Sequence, residues 1–433
     1  MSGQYSSTIK TQYYDPRTHV NNKMSEFRLD ADTMYLPNLR ISSLGYFASA
    51  ASAAPKPVGY YACIKNIRLL DGAVELSSLR FANRYLSFTQ KLGTNQEKLC
   101  VDSKNSGAAN GYVLYPNDKV DTLSSHNLEG ADVGTSESEI LTGYLDLRKV
   151  FPLLASMDCI DTAIFPGLKI QIEYETSPSL LLKKNDETAT IQTPVLIADI
   201  VHDEQKVAML RKDKYNSQIM WDEIEHDVFH IPATAQDADA GAAILAKTTG
   251  VVNGFDNKYV GRVVMIKQYS DASKAYTAAH AQIGLGNLVS RNQLYEKVQI
   301  RKNGSNMFPG EGIISDEYKG MLLYQSWGDV TIQPFTNKCS IGASTPNATE
   351  PGNNSGVGTP SSDGTYTQNI AQQDFIGFSV EDTVKQLNLI YERMILKDSE
   401  TIPRFEQAID MHIFGEVRKV IEFKNGEYNI VYA

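Results

Sequence analysis

The sequence predicts an all-β fold with a few short helices, arranged as two similar β-domains that follow one another in the chain. Three observations lead to this prediction: a stretch of strict apolar–polar alternation, a strand–turn–helix pattern that occurs twice, and an Asn-Gly hairpin signal near the C-terminus. At 433 residues the chain exceeds one ordinary hydrophobic core, and roughly two to three domains are expected.

The alternating stretch LKIQIEYE runs from Leu168 to Glu175. Its apolar side chains recur at every second position, which places them on one face of a strand and the polar ones on the other. This pattern is typical of an antiparallel sheet with one buried and one solvated face. Further strands are predicted from Phe27 through Met34 to Phe47, in PVLIADIVHD and QKVAML (194–203 and 205–210), and at 218–231, 259–269 and 294–300.

The repeated pattern occupies residues 66–88 and 298–327. The first copy, NIRLLDGAVELSSLRFANRYLSF, has a strand, an Asp-Gly turn at Asp71 and a helical run. The second copy has a strand, an Asn-Gly turn at Asn303 and a helical run that begins at Ser315. Because the order of elements recurs about half a chain length later, we predict a duplicated β-domain.

Two amphipathic helices and a closing hairpin complete the prediction. Residues 147–154 of LDLRKVFPLLASM have apolar side chains at helical spacing, and Pro152 limits or divides that helix. The turn at Asn425-Gly426 lies between two alternating runs, which is a strong hairpin signal. In SVEDTVKQLNLIYERMIL a second helical stripe is expected at Val380, Val384, Leu387, Tyr391 and Met394, with Ser379 and Asp382 as a capping pair.

Polar segments divide the chain. Residues 89–138 and 339–369 are rich in Gly, Asn, Ser and Thr and are expected to be long loops. Residues 1–24 are expected to be an arm that is ordered only where it docks. We therefore predict an N-terminal arm at 1–24, a first domain at 25–213, and a second domain at 214–433 with its polar loop at 339–369.

Composition limits the classes of function. The net charge is −10 and no basic cluster occurs, so direct nucleic-acid binding is not expected. No apolar signal region and no run of 18 apolar residues occurs, so neither a secretory signal nor a transmembrane segment is expected. The four cysteines are expected to be reduced, buried thiols rather than disulfides or zinc ligands: Cys63, Cys100, Cys159 and Cys339.

The sequence HDVFH resembles a zinc-binding HExxH pattern. His226 and His230 would share a face, but Asp227 replaces the longer glutamate and no third ligand follows at a known spacing. We therefore interpret the pair as polar residues on the solvent side of a strand and predict no metal site.

Other candidate sites also favour ordinary structural roles. Gly284 and Gly286 lack the third glycine and the βαβ setting of a phosphate loop. Glu173 and Glu175 could suggest glycosidase carboxylates, but alternation places them on the wet face of a strand. No GxSxG motif occurs. The Asn-x-Ser/Thr patterns are interpreted as chance: Asn303, Asn347 and Asn353. We predict no catalytic, cofactor-binding or metal-binding residue.

The phrases LDGAVELSSLRFANRYLSF, LDLRKVFPLLASM and FPGLKIQIEYE, together with the terminal hairpin, resemble the double jelly-roll major capsid proteins of icosahedral DNA viruses. They are similar in style to the branch found in virophages and polinton-like viruses, and the resemblance covers about residue 25 to the end. It implies two tandem eight-stranded jelly-roll β-sandwiches and a homotrimer with a pseudo-hexagonal outline.

The same resemblance implies a non-enzymatic structural protein of the virion that is assembled inside the host cell. The partners would be further copies of the chain, neighbouring capsomers, and penton and minor capsid proteins. Three alternatives stay open: a minor capsid or penton protein, a tandem jelly-roll carbohydrate-binding module, and a glycosidase.

Overall fold

The structure is a computed structural model. It describes residues 9–44, 46–48, 59–89, 143–175, 189–214, 217–233, 244–270, 296–310, 312–313, 316–328, 375–395, 408–424 and 426–433. Within these ranges, neighbouring strands pair antiparallel and fall into two groups that meet between residues 201 and 218. The predicted loops at 90–138 and 339–369 lie outside the described residues.

The first group forms two facing sheets and a small ribbon. Sheet 1 has the order β10-β4-β13-β5-β9, with β1 also paired to β13, and sheet 2 has the order β2-β3-β11-β7-β8. The ribbon pairs β6 with β12. The strands are β1 (Ile9–Tyr14), β2 (Thr18–Val20), β3 (Met24–Arg28), β4 (Met34–Tyr35), β5 (Arg40–Leu44), β6 (Tyr46–Ala48), β7 (Ile64–Asp71), β8 (Val74–Arg80), β9 (Gly143–Asp146), β10 (Ile160–Asp161), β11 (Leu168–Tyr174), β12 (Ala189–Ile191) and β13 (Val195–Val201).

The second group also forms two facing sheets. Sheet 3 has the order β14-β21-β16-β19, with β22 also paired to β21, and sheet 4 has the order β15-β20-β17-β18. The strands are β14 (Gln218–Ile231), β15 (Ile244–Val252), β16 (Lys258–Tyr269), β17 (Glu296–Lys302), β18 (Ser305–Asn306), β19 (Phe375–Val384), β20 (Leu387–Ile395), β21 (Ile409–Lys424) and β22 (Glu427–Tyr432).

Short helices connect these strands. Two 3-10 turns lie at Gly59–Cys63 and Leu147–Lys149. The α-helices are α1 (Ala82–Thr89), α2 (Pro152–Ser156), α3 (Glu204–Lys214) and α4 (Asp316–Trp327).

The strand order is the same in both groups. In sheet 1, β1 pairs with β13, and β5 and β9 follow. In sheet 3, β14 pairs with β21, and β16 and β19 follow. The facing sheets match as well, with β3-β11-β7-β8 in one group and β15-β20-β17-β18 in the other. Interleaving of early and late strands in two facing sheets is the jelly-roll topology. The predicted all-β fold of two tandem jelly-roll sandwiches is confirmed.

Each sandwich has its own core, built by period-two burial. Along β11 the side chains alternate between buried and half-buried, as the sequence predicted, and Ile170 packs beside its pairing partner Phe27 in the first core. In the second core, Val263 and Met265 of β16 face Leu389 of β20. Burying a large aliphatic side chain contributes about 1.5–3 kcal/mol, so the alternating strands provide the main stabilisation of each sandwich.

The predicted helix in SVEDTVKQLNLIYERMIL is wrong, because this segment forms β19 and β20. A spacing of four residues keeps side chains on one face of a strand as well as of a helix. Val380 and Val384 are therefore buried from β19, and Leu387 and Tyr391 from β20. Val384 and Leu387 are only three residues apart because the turn between β19 and β20 separates them. In this turn the side chain of Asn303 accepts hydrogen bonds from two backbone amides.

The predicted strand QKVAML is also wrong, because it lies within α3. The side chain of Asp203 accepts hydrogen bonds from the backbone N–H groups of Gln205 and Lys206, which caps the helix. Val207 and Leu210 then face one small apolar cluster at helical spacing. The capping aspartate is the signal that the sequence interpretation missed.

Two other segments refine the predictions. Pro152 divides the predicted helix at 147–154 into the 3-10 turn at Leu147–Lys149 and α2. Within the predicted arm at 1–24, Ile9–Tyr14 forms β1 and pairs with β13 along its whole length. This part of the chain thus docks on the first sandwich as an edge strand.

Candidate functional site: the junction between the two sandwiches

The two sandwiches meet where α1 of the first lies against the outward face of sheet 3 of the second. Along β16 and β21, alternate residues face the second core, while Val264, Ile266 and Phe414 join the apolar cluster of the first sandwich. A sheet face that carries large apolar side chains away from its own core requires a partner. Within the described part of the chain, α1 is one such partner, and α2 and β8 lie against β14 of the same sheet.

Aromatic side chains at the start of α1 make the central contacts. Phe81 has a φ of 50°, and its N–H donates to Asn66 Oδ1 at 3.0 Å, which fixes the entry of the helix. Its ring centroid lies 4.8 Å from that of His226 and 4.9 Å from that of His412. Tyr85 follows one turn later at 5.4 Å from Phe414. Such aromatic pairs contribute about 0.5–1.5 kcal/mol each beyond their buried area.

The histidine pair lies inside this junction. His226 Nε2 and His412 Nδ1 are 3.0 Å apart, and one of these nitrogens donates to the other. Burial, together with the charges of Arg84 and Arg80, lowers the pKa of His226 to about 3. Burial and Arg84 also lower the pKa of His412 well below its ordinary range. Both imidazoles are therefore neutral at physiological pH.

The interpretation of His226 and His230 as a solvent-facing pair is right for His230 and wrong for His226. His226 is covered by the first sandwich, whereas His230 is 58% exposed and its Nδ1 lies 2.7 Å from Asp410 Oδ1. The two side chains lie on one face of β14, as predicted from their spacing. No three His, Cys, Asp or Glu side chains gather into a metal-binding group within the described ranges.

Arg84 of α1 forms a buried ion pair within the first sandwich and a buried hydrogen bond to the second. Arg84 Nη1 donates to Glu175 Oε2 at 3.1 Å and to Asn83 Oδ1 at 2.8 Å, and Arg84 Nε donates to Gln268 Oε1 at 3.1 Å. The exposed fractions of Arg84 and Glu175 are 6% and 8%. The prediction that Glu175 lies on a wet face is therefore wrong, because β11 ends at Tyr174 and the next residue turns under α1.

A second buried carboxylate links β8 to β14. Glu223 accepts hydrogen bonds from Trp221 Nε1 at 2.6 Å, from Ser77 Oγ at 2.9 Å and from the backbone N–H of Ser78 at 2.9 Å. Burial raises the pKa of Glu223, while the charge of Lys419 lowers it. Because the donors come from both sandwiches, this group fixes their register at the junction.

The terminal hairpin forms the third part of the junction. Phe165 of the first sandwich packs 6.0 Å from Phe423 and 4.9 Å from Tyr428, measured between ring centroids. Tyr428 Oη donates to Asp71 Oδ2 at 2.9 Å. Asp71 and the hairpin of β21 and β22, both of which the sequence marked, thus lie in neighbouring parts of one contact.

The other candidates have ordinary structural roles. Glu173 accepts from Asn66 Nδ2 at 2.6 Å and lies 3.6 Å from Lys65 Nζ, on the half-exposed face as predicted. Cys63 and Cys159 are buried, and neither forms a disulfide within the described residues. Among the described helices, none is long and apolar enough to span a membrane. Five candidate positions and two cysteines lie outside the described residues: Gly284, Gly286, Ser315, Asn347, Asn353, Cys100 and Cys339.

Sequence reasoning missed most of the junction. The available signals were polar side chains within apolar runs, such as Arg84 in FANRYLSF and His412 in MHIFG. A buried polar residue is informative because its desolvation requires a partner. The partners are distant in sequence, so the pattern alone could not identify them. Chemically, the paired charges and stacked rings orient two sandwiches rather than position a reacting group.

Comparison with solved structures gives the same overall arrangement. The chain is similar to the major capsid protein of mavirus, with 9% identity and a TM-score of 0.53 over 99% of this chain and 90% of that one. It is similar to a chain of the Sputnik virophage particle, with 11% identity and a TM-score of 0.54 over 98% and 88%. The PBCV-1 virus capsid gives 12% identity and a TM-score of 0.51 over 98% and 96%.

No protein-family model and no curated protein matches the sequence. Since the similarity extends over nearly the whole of each chain and includes both sandwiches, this chain has the double jelly-roll fold found in viral major capsid proteins.

Proposed function

We propose that the chain is a major capsid protein of an icosahedral DNA virus, of the virophage or polinton-like type, and that it has no catalytic role. The observation that supports this proposal is the whole-chain likeness to capsid proteins, with 98–99% of this chain covered. In the proposal, three copies form a pseudo-hexagonal capsomer, and capsomers tile the shell of the virion.

The junction suits a shell protein. The two sandwiches share an apolar cluster, and buried hydrogen bonds from Arg84 to Gln268 and from Ser77 to Glu223 cross between them. A tile must keep its outline under the forces between neighbouring capsomers, and a rigid junction provides that. Neighbouring capsomers, penton proteins and minor capsid proteins are the partners expected in this role.

The proposed domains follow the sheets. The first domain covers residues 25–213 together with β1 and β2, and the second covers residues 214–433. Limited proteolysis should spare α3 in the folded protein, because this helix packs on the first sandwich through Val207 and Leu210.

A carbohydrate-active tandem jelly-roll is the alternative from another class. The two carboxylates that suggested it are both engaged elsewhere: Glu175 with Arg84, and Glu173 with Asn66 and Lys65. Glycan-array binding by the monomer would favour this alternative. Absence of binding together with trimer formation would favour the shell protein.

The direct test is the mass of the purified protein in solution. Size-exclusion chromatography with light scattering should give three times the chain mass of 48.0 kDa. Negative-stain images should show particles with a six-lobed outline. A particle of one chain at micromolar concentration would contradict the proposal.

A further inference from the structure

Two separate places along β21 hold the sandwiches together. Near the start of this strand, His412 lies against Phe81 at the beginning of α1. Near its end, Phe423 packs on Phe165 of the first sandwich. We call the first place the α1 contact and the second the hairpin contact. They lie towards opposite ends of a 16-residue strand, so roughly 30 Å separates them at about 3.3 Å per residue.

The chain connection between the sandwiches lies at the end with the hairpin contact. Helix α3 ends at Lys214, and β14 begins at Gln218. Gln218 pairs with Glu422, the residue before Phe423. The α1 contact is therefore the part of the junction that lies away from the connection. Any separation of the sandwiches that spares the connection must begin at α1.

The α1 contact is built on two uncharged imidazoles. His226 Nε2 and His412 Nδ1 lie 3.0 Å apart, and one of these nitrogens donates to the other. The ring centroid of Phe81 lies 4.8 Å from that of His226 and 4.9 Å from that of His412. The hydrogen bond requires one nitrogen without a proton, so it is lost once both imidazoles are protonated.

The charges around the pair oppose protonation. Arg84 of α1 and Arg80 of β8 act on the imidazoles from the first sandwich, in the same direction as burial. On β16, Lys267 pairs with Met411 and so lies on the opposite face of sheet 3. Carboxylates on the neighbouring elements are engaged by other side chains: Glu175 by Arg84, Asp410 by His230, Glu416 by Arg262, and Glu223 by Ser77 and Trp221.

Phe81 adds a strained backbone to the α1 contact. Its φ of 50° lies in the left-handed region, which bulky residues rarely adopt. The ring is held by the two imidazoles and by the Arg84 guanidinium, whose Cζ lies 4.9 Å from the ring centroid. A strained residue keeps its conformation only while its surroundings hold it. Loss of the imidazole contacts therefore favours release of the first turn of α1.

We infer that the histidine pair is an acid-sensitive latch: proton uptake by His226 and His412 separates α1 from sheet 3, while the hairpin contact and α3 keep the sandwiches joined. The separation exposes the apolar side chains that sheet 3 now presents to the first core, Val264, Ile266 and Phe414. The inference concerns the junction alone and does not depend on the proposed function. In a shell protein, the latch loosens the tile on acidification.

The direction of the pH dependence follows from proton uptake. In the closed junction the pKa of both imidazoles lies below 6.5, and that of His226 is about 3. After separation the imidazoles face water, and their pKa values return towards the ordinary value. Separation therefore takes up protons and is favoured as the pH falls from 6.5 towards about 3. Between pH 7 and pH 5 the separation constant rises about 25-fold for each histidine.

Hydrogen exchange of the full chain, followed by mass spectrometry, tests the latch. After correction for the intrinsic exchange rate, α1 should exchange faster at pH 5 than at pH 7, whereas β11 should keep its protection. In His412→Gln the rise at α1 should be about 25-fold smaller than in the wild type. His230→Gln is the matched control, because His230 is 58% exposed, and it should leave the rise unchanged. The glutamates are the same in all three proteins.

Tryptophan fluorescence adds a measurement on the wild type, which decides the question even where His412→Gln fails to fold. The chain has two tryptophans, and both lie at the junction. The ring of Trp327 packs 5.4 Å from that of Phe88 of α1, and Trp221 Nε1 donates to Glu223. The emission maximum should shift to longer wavelength between pH 7 and pH 5, while far-UV circular dichroism stays constant.

Three results would overturn the latch. They are exchange of α1 only together with β11, an emission maximum that does not move, and an equal rise at α1 in His412→Gln and the wild type. A chain that is monomeric at pH 7 but shows the pH-dependent exchange would support the latch and contradict the proposed function.

Discussion

Arg84 is the residue on which the junction depends most directly. Its guanidinium contacts Glu175 and Asn83 of the first sandwich and Gln268 of the second, all away from water. Burial lowers the pKa of Arg84, although the charge of Glu175 raises it. Pairing two buried charges offsets their desolvation, and removal of one partner leaves the other uncompensated.

The Arg84→Met variant should therefore lower the free energy of unfolding by about 3–5 kcal/mol, because the Glu175 carboxylate is left buried and unpaired. Arg84→Met/Glu175→Met should recover most of that loss. Arg148→Met is the control, because the Arg148 side chain is 47% exposed in its pair with Asp146, and ion pairs at the surface contribute about 0–1 kcal/mol. Urea unfolding at one fixed protein concentration provides the measurement. Equal losses at Arg84 and Arg148 would contradict the assigned role.

His226 and His412 make the stability of the junction dependent on pH. Their folded-state pKa values lie below the ordinary value of 6.5. The unfolded chain therefore binds more protons, and stability falls as the pH drops from 6.5 towards about 3. Arg84 and Arg80 face the imidazoles and increase this effect. Nearby Glu223 and Glu416 have raised pKa values and oppose it.

A His412→Gln variant isolates the contribution of this residue. Glutamine stays neutral and can hydrogen-bond to His226, so the loss of unfolding free energy between pH 7 and pH 5 should shrink by about 2 kcal/mol relative to the wild type. The glutamates are unchanged in both proteins, so their contributions cancel in the comparison. The measurement is urea unfolding at both pH values, and an unchanged loss would show that His412 is accessible to protons in the folded protein.

At the scale of elements, α4 is fixed to its sheet through a glycine. A Cβ atom at Gly377 would collide with Leu323 and Trp327 of the helix. Arg262 completes the contact from β16, where its guanidinium lies 5.1 Å from the centroid of the Trp327 ring. The close approach of helix and strand therefore requires glycine at this position.

Gly377→Val should lower the free energy of unfolding by about 1–3 kcal/mol, as overpacked sites do. Gly320→Ala in α4 is the contrasting change, because a Cβ there meets nothing within 4 Å. It should raise stability by about 0.5–1 kcal/mol through helix propensity. Thermal unfolding with near-UV dichroism of tryptophan records both changes, and a stable Gly377→Val variant with unchanged dichroism would contradict this packing.

The elements also show how far sequence alone extends. Strict alternation identified β11, and the Asn-Gly signal identified the hairpin of β21 and β22, because period and turn chemistry are local. The pair β19 and β20 was mistaken for a helix, because a four-residue spacing fits both structures. Arg84 and His412 could not be assigned, because their partners come from distant strands and from the other sandwich.

At the scale of the molecule, the two groups of strands share their order of elements, with α1 between β8 and β9 and α4 between β18 and β19. Their outward sheet faces differ. Sheet 3 carries Val264, Ile266 and Phe414, which join the first core, whereas hydrogen bonds join Asp199 to Thr11 and Arg40 beside sheet 1.

The polar segment at 339–369 lies outside the described residues, and its role stays a prediction. Replacement of 344–365 by a short Gly-Ser link should leave the melting temperature nearly unchanged, because the segment has few core-forming side chains. Surface features or contacts between chains should change instead. A shortened chain that cannot fold would show that the segment belongs to a core.

We propose that this chain is a capsomer protein made of two similar sandwiches. Single-particle cryo-electron microscopy of the purified protein tests this proposal most directly. We predict a threefold particle of three chains with six sandwiches around the axis. A monomer, or an oligomer without threefold symmetry, would contradict it.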